Sequence, residues 1–260
     1  MQQFKALFLK EWRDTVRSFK ILWIPLVFLL LGVSDPLVNY FMDDIMKSVG
    51  NMPDGFTMTM PEFQPADLLA ASTGQFQSIG IIVFIAAYIG AFSRERQNGT
   101  ATLLYVRPIS FTSLFLSKWL VASIVAVISV VAGYAGSMYY TGLLYGTVDW
   151  MKLFAMVGTY LVWAIFVMAF TLAMSAAFST TIAATIAIVV LPIGLLIDSL
   201  IGGFWNVTPW KLANHGLALL TDSVEMGDYW WTFVVVVICI IISAVVAIVM
   251  SKKRQNLLKV

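Results

Sequence analysis

Few residues in this chain have the type and spacing that chemistry needs. There is one histidine, His215, and one cysteine, Cys239. A single cysteine excludes an internal disulfide and a cysteine-based metal site. Lying in an apolar run, Cys239 reads as a packed or lipid-facing side chain. A serine–histidine hydrolase would need a serine facing His215, and no residue in the sequence points to one. Five methionines (Met42, Met46, Met52, Met58 and Met60) crowd one short segment. Thioethers suit a soft metal such as Cu(I), but the spacing is irregular and no histidine or cysteine joins them, so apolar cover is the better reading. No phosphate-cradling G-x-x-x-x-G-K-[ST] run occurs, so the chain does not hold ATP in that way. Two acids, Asp35 and Asp198, fall inside long apolar stretches. Acids at such positions are candidates for a proton relay or a paired-carboxylate site. The competing reading is outer-edge hydration or local capping. No catalytic residue and no metal ligand is expected elsewhere.

Those acids are placed by elements that must cross a bilayer. The chain of 260 residues is 60% hydrophobic and 12% charged, against about 45–50% and about 25% for a soluble domain. So little charge cannot cover a water-facing surface, which excludes a soluble enzyme or a nucleic-acid binder. A span needs about 20 apolar residues. Six stretches qualify: Ile21–Tyr40, Phe76–Ser93, Trp119–Leu143, Leu153–Ser179, Thr181–Phe204 and Trp230–Met250. The fourth and fifth are nearly continuous, which predicts a tight antiparallel hairpin. The expected fold is all-α, one transmembrane domain over residues 1–260. At 1.5 Å per residue, Asp35 and Asp198 stand ~21–26 Å from the starts of their spans, in the outer third of the bilayer.

Charge sets the expected orientation. Thirteen of the sixteen basic residues lie in the N-terminal segment, in the loop between the second and third spans, and in the tail. Lys47, Lys152 and Lys211 are the exceptions. Basic loops stay on the cytoplasmic side, so both termini are expected in the cytoplasm of a cell-membrane protein. Most acids mark the other face, among them Asp43, Asp44, Asp54, Glu62, Asp222, Glu225 and Asp228.

Three segments do not span. Residues 1–20 read as a helix lying in the interface, with Phe4, Leu7, Phe8, Trp12, Val16 and Phe19 on one arc and Lys10, Arg13, Arg17 and Lys20 on the other. Glu11 falls among the aromatics, and a buried carboxylate there needs a partner: it snorkels or pairs with a local arginine, or it serves a subunit contact. The loop 94–118 concentrates its polarity. Asn98-Gly99 is a turn signal, Thr100 can cap a two-turn helix over Ala101–Val106, and Pro108 ends it. Leu103, Leu104 and Tyr105 would leave that helix an exposed apolar face suited to docking a partner. The last outer region, 202–229, is too apolar for a free loop. Its Gly202-Gly203 pair and Pro209 break it into short re-entrant or interfacial helices.

An amphipathic N-terminal helix with Lys10-Glu11, followed by six spans, resembles the permease subunits of bacterial type-2 ATP-binding-cassette transporters. The run Arg94-Glu95-Arg96-x-x-Gly99-Thr100-x-x-x-Leu104-x-x-x-Pro108-Ile109-Ser110, with Lys118 beyond it, looks like that family's coupling loop. Ala101-Thr102 stands where Leu-Glu is common. The resemblance implies that Ala101–Val106 is a coupling helix seated in a separate ATPase subunit. Glu95, Gly99, Thr100, Leu103, Leu104, Tyr105 and Pro108 would belong to that contact. Lys10, Glu11, Trp12 and Arg13 would belong to the connecting helix beside it. It further implies a second permease copy, as homodimer or heterodimer, and ATP and Mg bound by the partner ATPase, with no cofactor on this chain. The implied activity is export of an amphipathic or antimicrobial substrate or of an ion, as in the branch that serves antibiotic resistance. A membrane regulatory or scaffold protein, binding its partner through the same loop without transport, is the alternative.

Overall fold

The computed structural model describes residues 2–49, 63–99 and 110–257. Every element among them is helical, with no strand. Apart from α1 (Gln2–Arg17), α3 (Met42–Val49) and α8 (Leu212–Ala218), the helices are long and apolar enough to cross a membrane. These are α2 (Lys20–Tyr40), α4 (Pro65–Gln97), α5 (Phe111–Leu144), α6 (Trp150–Ala177), α7 (Thr180–Phe204) and α9 (Met226–Leu257). Their lengths run from 21 to 34 residues. A core of ~30 Å takes about 20 residues, so the longer helices project beyond it. α1 and the C-terminal turns of α4 and α9 gather at one end of the bundle, the basic end.

The chain turns from α1 into α2 at Phe19, whose φ is 56°. A non-glycine residue in that left-handed region stores about 1–3 kcal/mol, which the packing of both helices must offset. α1 lies against α5 through the i, i+4, i+8 stripe Leu7, Glu11 and Thr15; Leu7 and Thr15 are buried. Leu9, Val16 and Phe19 stay exposed.

α5 and α6 form the centre, and α2 packs tightly on α5. A Cβ added at Gly32 would stand 2.1 Å from the Gly133 carbonyl oxygen, so only glycine permits this crossing. An aromatic column fills the middle. Phe84 stacks on Phe28 at 4.6 Å, Phe28 meets Phe76 at 5.3 Å, Phe76 meets Tyr134 edge-on at 5.0 Å, and Tyr134 meets Tyr160 at 5.6 Å. Little of α7 or α9 is buried.

The starts of two spanning helices differ from expectation. The second spanning helix begins at Pro65 rather than Phe76. Its extra turns mix apolar and polar residues, and Leu68, Leu69, Ser72 and Thr73 are all buried. Ser72 bonds Ser137 at 2.8 Å and Thr73 bonds Tyr134 at 2.8 Å. A hydropathy window scores such protein-facing polar residues as loop. The third helix begins at Phe111 rather than Trp119, capped by Ser110, so Lys118 is a helical residue and not the end of a loop. The helices α4 and α7 each contain a π-helical turn, over Phe76–Gly80 and Val189–Ile193. The second includes Pro192, whose missing N–H accounts for the widened turn. The region 202–229 does hold short helices: a 3₁₀ turn at Gly202–Phe204, another at Pro209–Lys211, then α8.

Candidate functional site

At the basic end, four charged side chains from three helices meet. Lys10 and Glu11 are neighbours on α1, Glu95 is in the last turn of α4, and Lys118 is in the second turn of α5. Lys10 Nζ lies 3.0 Å from Glu11 Oε1 and 2.5 Å from Glu95 Oε1. Lys118 Nζ lies 2.7 Å from Glu11 Oε1 and 3.0 Å from Glu95 Oε1. Each lysine therefore donates to both carboxylates, and the ring sums to zero charge. Lys118 is the buried corner, with 3% of its side chain exposed, against 35% for Lys10. Its ammonium also sits 5.3 Å over the Phe92 ring, a further favourable contact for a desolvated cation.

Burial by itself would push the Glu11 carboxyl up. Lys118 first and Lys10 second outweigh it, and hold Glu11 below the usual carboxylate value. Burial likewise works to lower Lys10, and the carboxylates of Glu11 and Glu95 reverse that, holding its ammonium above the usual lysine range. The Glu11 foreseen as needing a partner thus takes two lysines rather than an arginine, and one of them is remote in sequence.

A second set of bonds fastens the end of α4 to the turn between α6 and α7. Arg96 donates through Nη1 to Ala176 O at 3.0 Å, and through Nη2 to Ser175 O at 2.9 Å and to Phe178 O. These are the last carbonyls of α6, where helix polarity favours a cation. Arg254 adds a bond to Ala177 O at 2.6 Å. Ser175 Oγ accepts from the amides of Phe92 and Ser93, and Ser93 Oγ meets Thr180 Oγ1 at 2.6 Å. The end of α4 is thereby joined to α1, α5, α6 and α7 at once.

The chain leaves this node at Gly99, whose φ of 71° is the left-handed value that ends a helix. Its amide donates to Arg96 O at 3.3 Å. Thr100, Leu103, Leu104, Tyr105 and Pro108, with the expected Ala101–Val106 helix, lie outside the described residues. Both ends of that segment are anchored on the described part, one at Gly99 and the other at the Ser110 cap two turns before Lys118. Of the remaining residues expected on α1, Trp12 stacks on Phe8 at 6.3 Å and Arg13 is exposed.

Asp35 and Asp198, the two acids within apolar helices, are not brought together. Asp35 Oδ1 accepts from Gln75 Nε2 at 2.7 Å, and Gln75 Oε1 accepts from Ser34 Oγ at 3.2 Å, so Asp35 ties α2 to α4. Asp198 is 6% exposed, and its Oδ1 accepts from Trp205 Nε1 and Thr208 Oγ1, both at 3.0 Å. It holds the chain leaving α7 folded back on itself. No hydrogen bond or ion pair joins the two carboxylates. The sequence puts Lys118 in the motif but not in the expected site, and sets neither Arg96 nor Ser175 apart. A lysine at a position that proves helical, facing a stranded glutamate, was the available signal for the first. Nothing in the linear pattern marked the second.

The described residues thus form a polytopic helical membrane protein, with six helices able to span and a first helix tied by ion pairs to the ends of two of them. The chain belongs to the ABC-2 family of transporter proteins: the family model described as "ABC-2 family transporter protein" matches residues 5–255. Membership makes it a membrane component of the ABC-2 transporter kind. It is also 30% identical over 168 residues to an uncharacterized transmembrane protein, YxlG, of Bacillus subtilis (strain 168). That alignment covers 65% of this chain and 65% of the relative, so it spans just under two thirds of either.

Proposed function

We propose that this chain is the permease subunit of an ATP-driven exporter, with the basic end in the cytoplasm and the segment 100–109 forming the contact that transmits ATPase movement. Residues Thr100, Leu103, Leu104, Tyr105 and Pro108 provide the docking surface, and Glu95 and Gly99 fix where it leaves the bundle. The observation that supports this reading best is the closed ring of Lys10, Glu11, Glu95 and Lys118. It joins the helix before the segment, the helix after it and the interfacial helix into one unit. Force applied to the segment would then move three helices together rather than bend a loop. The cargo is an amphipathic or antimicrobial compound or an ion, and a second permease copy completes the pathway. ATP and Mg belong to the partner.

The test is coexpression with the cognate ATPase, followed by co-purification and measurement of ATP hydrolysis with candidate substrates. Leu104→Asp should weaken assembly and lower substrate-stimulated hydrolysis, and Glu95→Ala should lower stimulation with assembly retained. A Leu104→Asp complex that keeps both assembly and coupled hydrolysis would refute the docking assignment.

A further inference from the structure

The two halves of α7 are fastened to different partners. At the basic end Thr180 Oγ1 meets Ser93 Oγ of α4 at 2.6 Å, so α7 starts out tied to α4. Beyond its π-helical turn the bonds go to the chain that follows it. Asp198 Oδ1 accepts from Trp205 Nε1 and Thr208 Oγ1, both at 3.0 Å. The Trp210 indole packs on Gly194, where a Cβ would stand 2.4 Å from its Nε1. The facing part of α4 is held by α2 and α5 instead, through Gln75 to Asp35, Ser72 to Ser137 and Thr73 to Tyr134. Here α4 and α7 part. A cleft of about 320 Å3 separates the α4 face bearing Gly74, Gln77 and Ser78 from the α7 face bearing Pro192, Leu196 and Ser199. A Cβ added at Gly74 would meet nothing within 4 Å.

A joint lies between the two halves of α7. The π-helical turn Val189–Ile193 contains Pro192, which has no amide to bond the carbonyl one turn back. A helix bends most readily at such a turn. Gln77 supplies a reason to close the cleft. It stands in the π-helical turn of α4, Phe76–Gly80, and its Nε2 is buried with no hydrogen-bond partner among the described residues. An amide donor left unmet in an apolar setting is unfavourable. On the facing wall Ser199 Oγ donates to Leu196 O at 2.7 Å, and its lone pairs remain able to accept. We propose that α7 flexes at Val189–Ile193 and that its upper half closes onto α4, where Gln77 donates to Ser199. Residues 202–210 travel with it through the Asp198 and Gly194 contacts. The moving unit ends at α8, whose Gly216 packs on Thr159 of α6 at 3.2 Å from a built Cβ. The lower half stays with α4 through Ser93, so the bend is confined to the joint. The motion needs neither ATPase nor cargo.

The test uses the full chain in lipid nanodiscs, carrying Cys239→Ser so that only introduced thiols are spin-labelled. Leu143→Cys on α5 and Phe204→Cys at the far end of α7, both exposed in the parent chain, report the swing by double electron–electron resonance. Leu143→Cys with Trp230→Cys on α9, also exposed, lies outside the moving unit and sets the reference width. The first pair should show two distances, open and closed. Gly74→Leu fills the cleft without a clash at Cβ and should leave only the open one. Pro192→Ala restores the missing amide and should leave a single distance. Gln77→Leu keeps the bulk and removes the donor, so the closed share should fall about threefold or more. Circular dichroism melts confirm that each variant folds. A first-pair distribution no wider than the reference overturns the proposal. So does a second distance that persists in Gly74→Leu or Pro192→Ala, or a closed share unchanged in Gln77→Leu.

Discussion

Replacing Lys118 by methionine removes the buried corner of the charge ring while keeping a long side chain of similar bulk. Glu11 and Glu95, with 14% and 19% of their side chains exposed, would then share Lys10 alone. The ring would change from neutral to one net negative charge. Removing one partner of a buried ion pair costs about 3–5 kcal/mol. The lower end applies because both carboxylates retain some access to water, and Lys10 remains in place at 3.0 and 2.5 Å. The expected loss is about 3 kcal/mol, which corresponds to a fall in melting midpoint of roughly 6–12 °C for a chain of this size. Adding Glu95→Gln restores neutrality, with Lys10 and Glu11 as the surviving pair. The double variant should therefore recover about 1–2 kcal/mol relative to the sum of the singles. The assay is thermal unfolding in detergent by circular dichroism, with limited proteolysis between α1 and α2 reporting whether α1 has undocked. Strictly additive losses, or a Lys118→Met chain that melts with wild type, would refute the ring as an electrostatic unit.

Two further outcomes follow from the same geometry. Gly32→Ala places a Cβ 2.1 Å from a backbone oxygen that cannot turn aside. It should cost about 1–3 kcal/mol of stability, whereas Gly158→Ala, with nothing within 4 Å, should not lower the melting midpoint. Docking of α1 should also depend on pH with a definite sign. Glu11 is held below its usual 4.5, so its contribution is present above that pH and is lost as pH falls through the lowered value. Lys10 is held above its usual 10.5, so its contribution is present below that pH and is lost as pH rises through the raised value. Proteolysis of α1 should be slow between those limits and accelerate on both sides; a rate that is flat from pH 3 to 12 would contradict this.

The charge ring and the Arg96 bonds act at different levels. The ring joins α1 to the bundle through ionic contacts that protonation can dissolve. Arg96 and Arg254 hold carbonyls of the α6 C-terminus, which have no such sensitivity. A movement that frees α1 need not therefore loosen the junction of α4 with α6 and α7. This separation gives the node a rigid part and a part that can be released, both adjoining the segment proposed to meet the ATPase.

The apolar runs of about 20 residues could be read directly, because burying a backbone in hydrocarbon requires a helix whatever its neighbours are. So could the helix α1, from its 3.6-residue pattern, and the helix stop at Gly99, from the steric freedom of glycine. Hydropathy averages over all sides of a helix, however, and cannot tell protein from lipid. It missed the first turns of α4, where Ser72 and Thr73 are buried by pairing with Ser137 and Tyr134. It placed Lys118 at a loop's end, since a charge in isolation looks unfit for a buried position. Glu11 and Lys118 are separated by 107 positions, and no local rule relates them. Packing α1 across the roots of α4 and α5 brings them within 2.7 Å, where each cancels the desolvation cost of the other. The span pattern is set by composition along the chain, while the charged node exists only because the fold pairs ions whose burial alone would be strongly unfavourable.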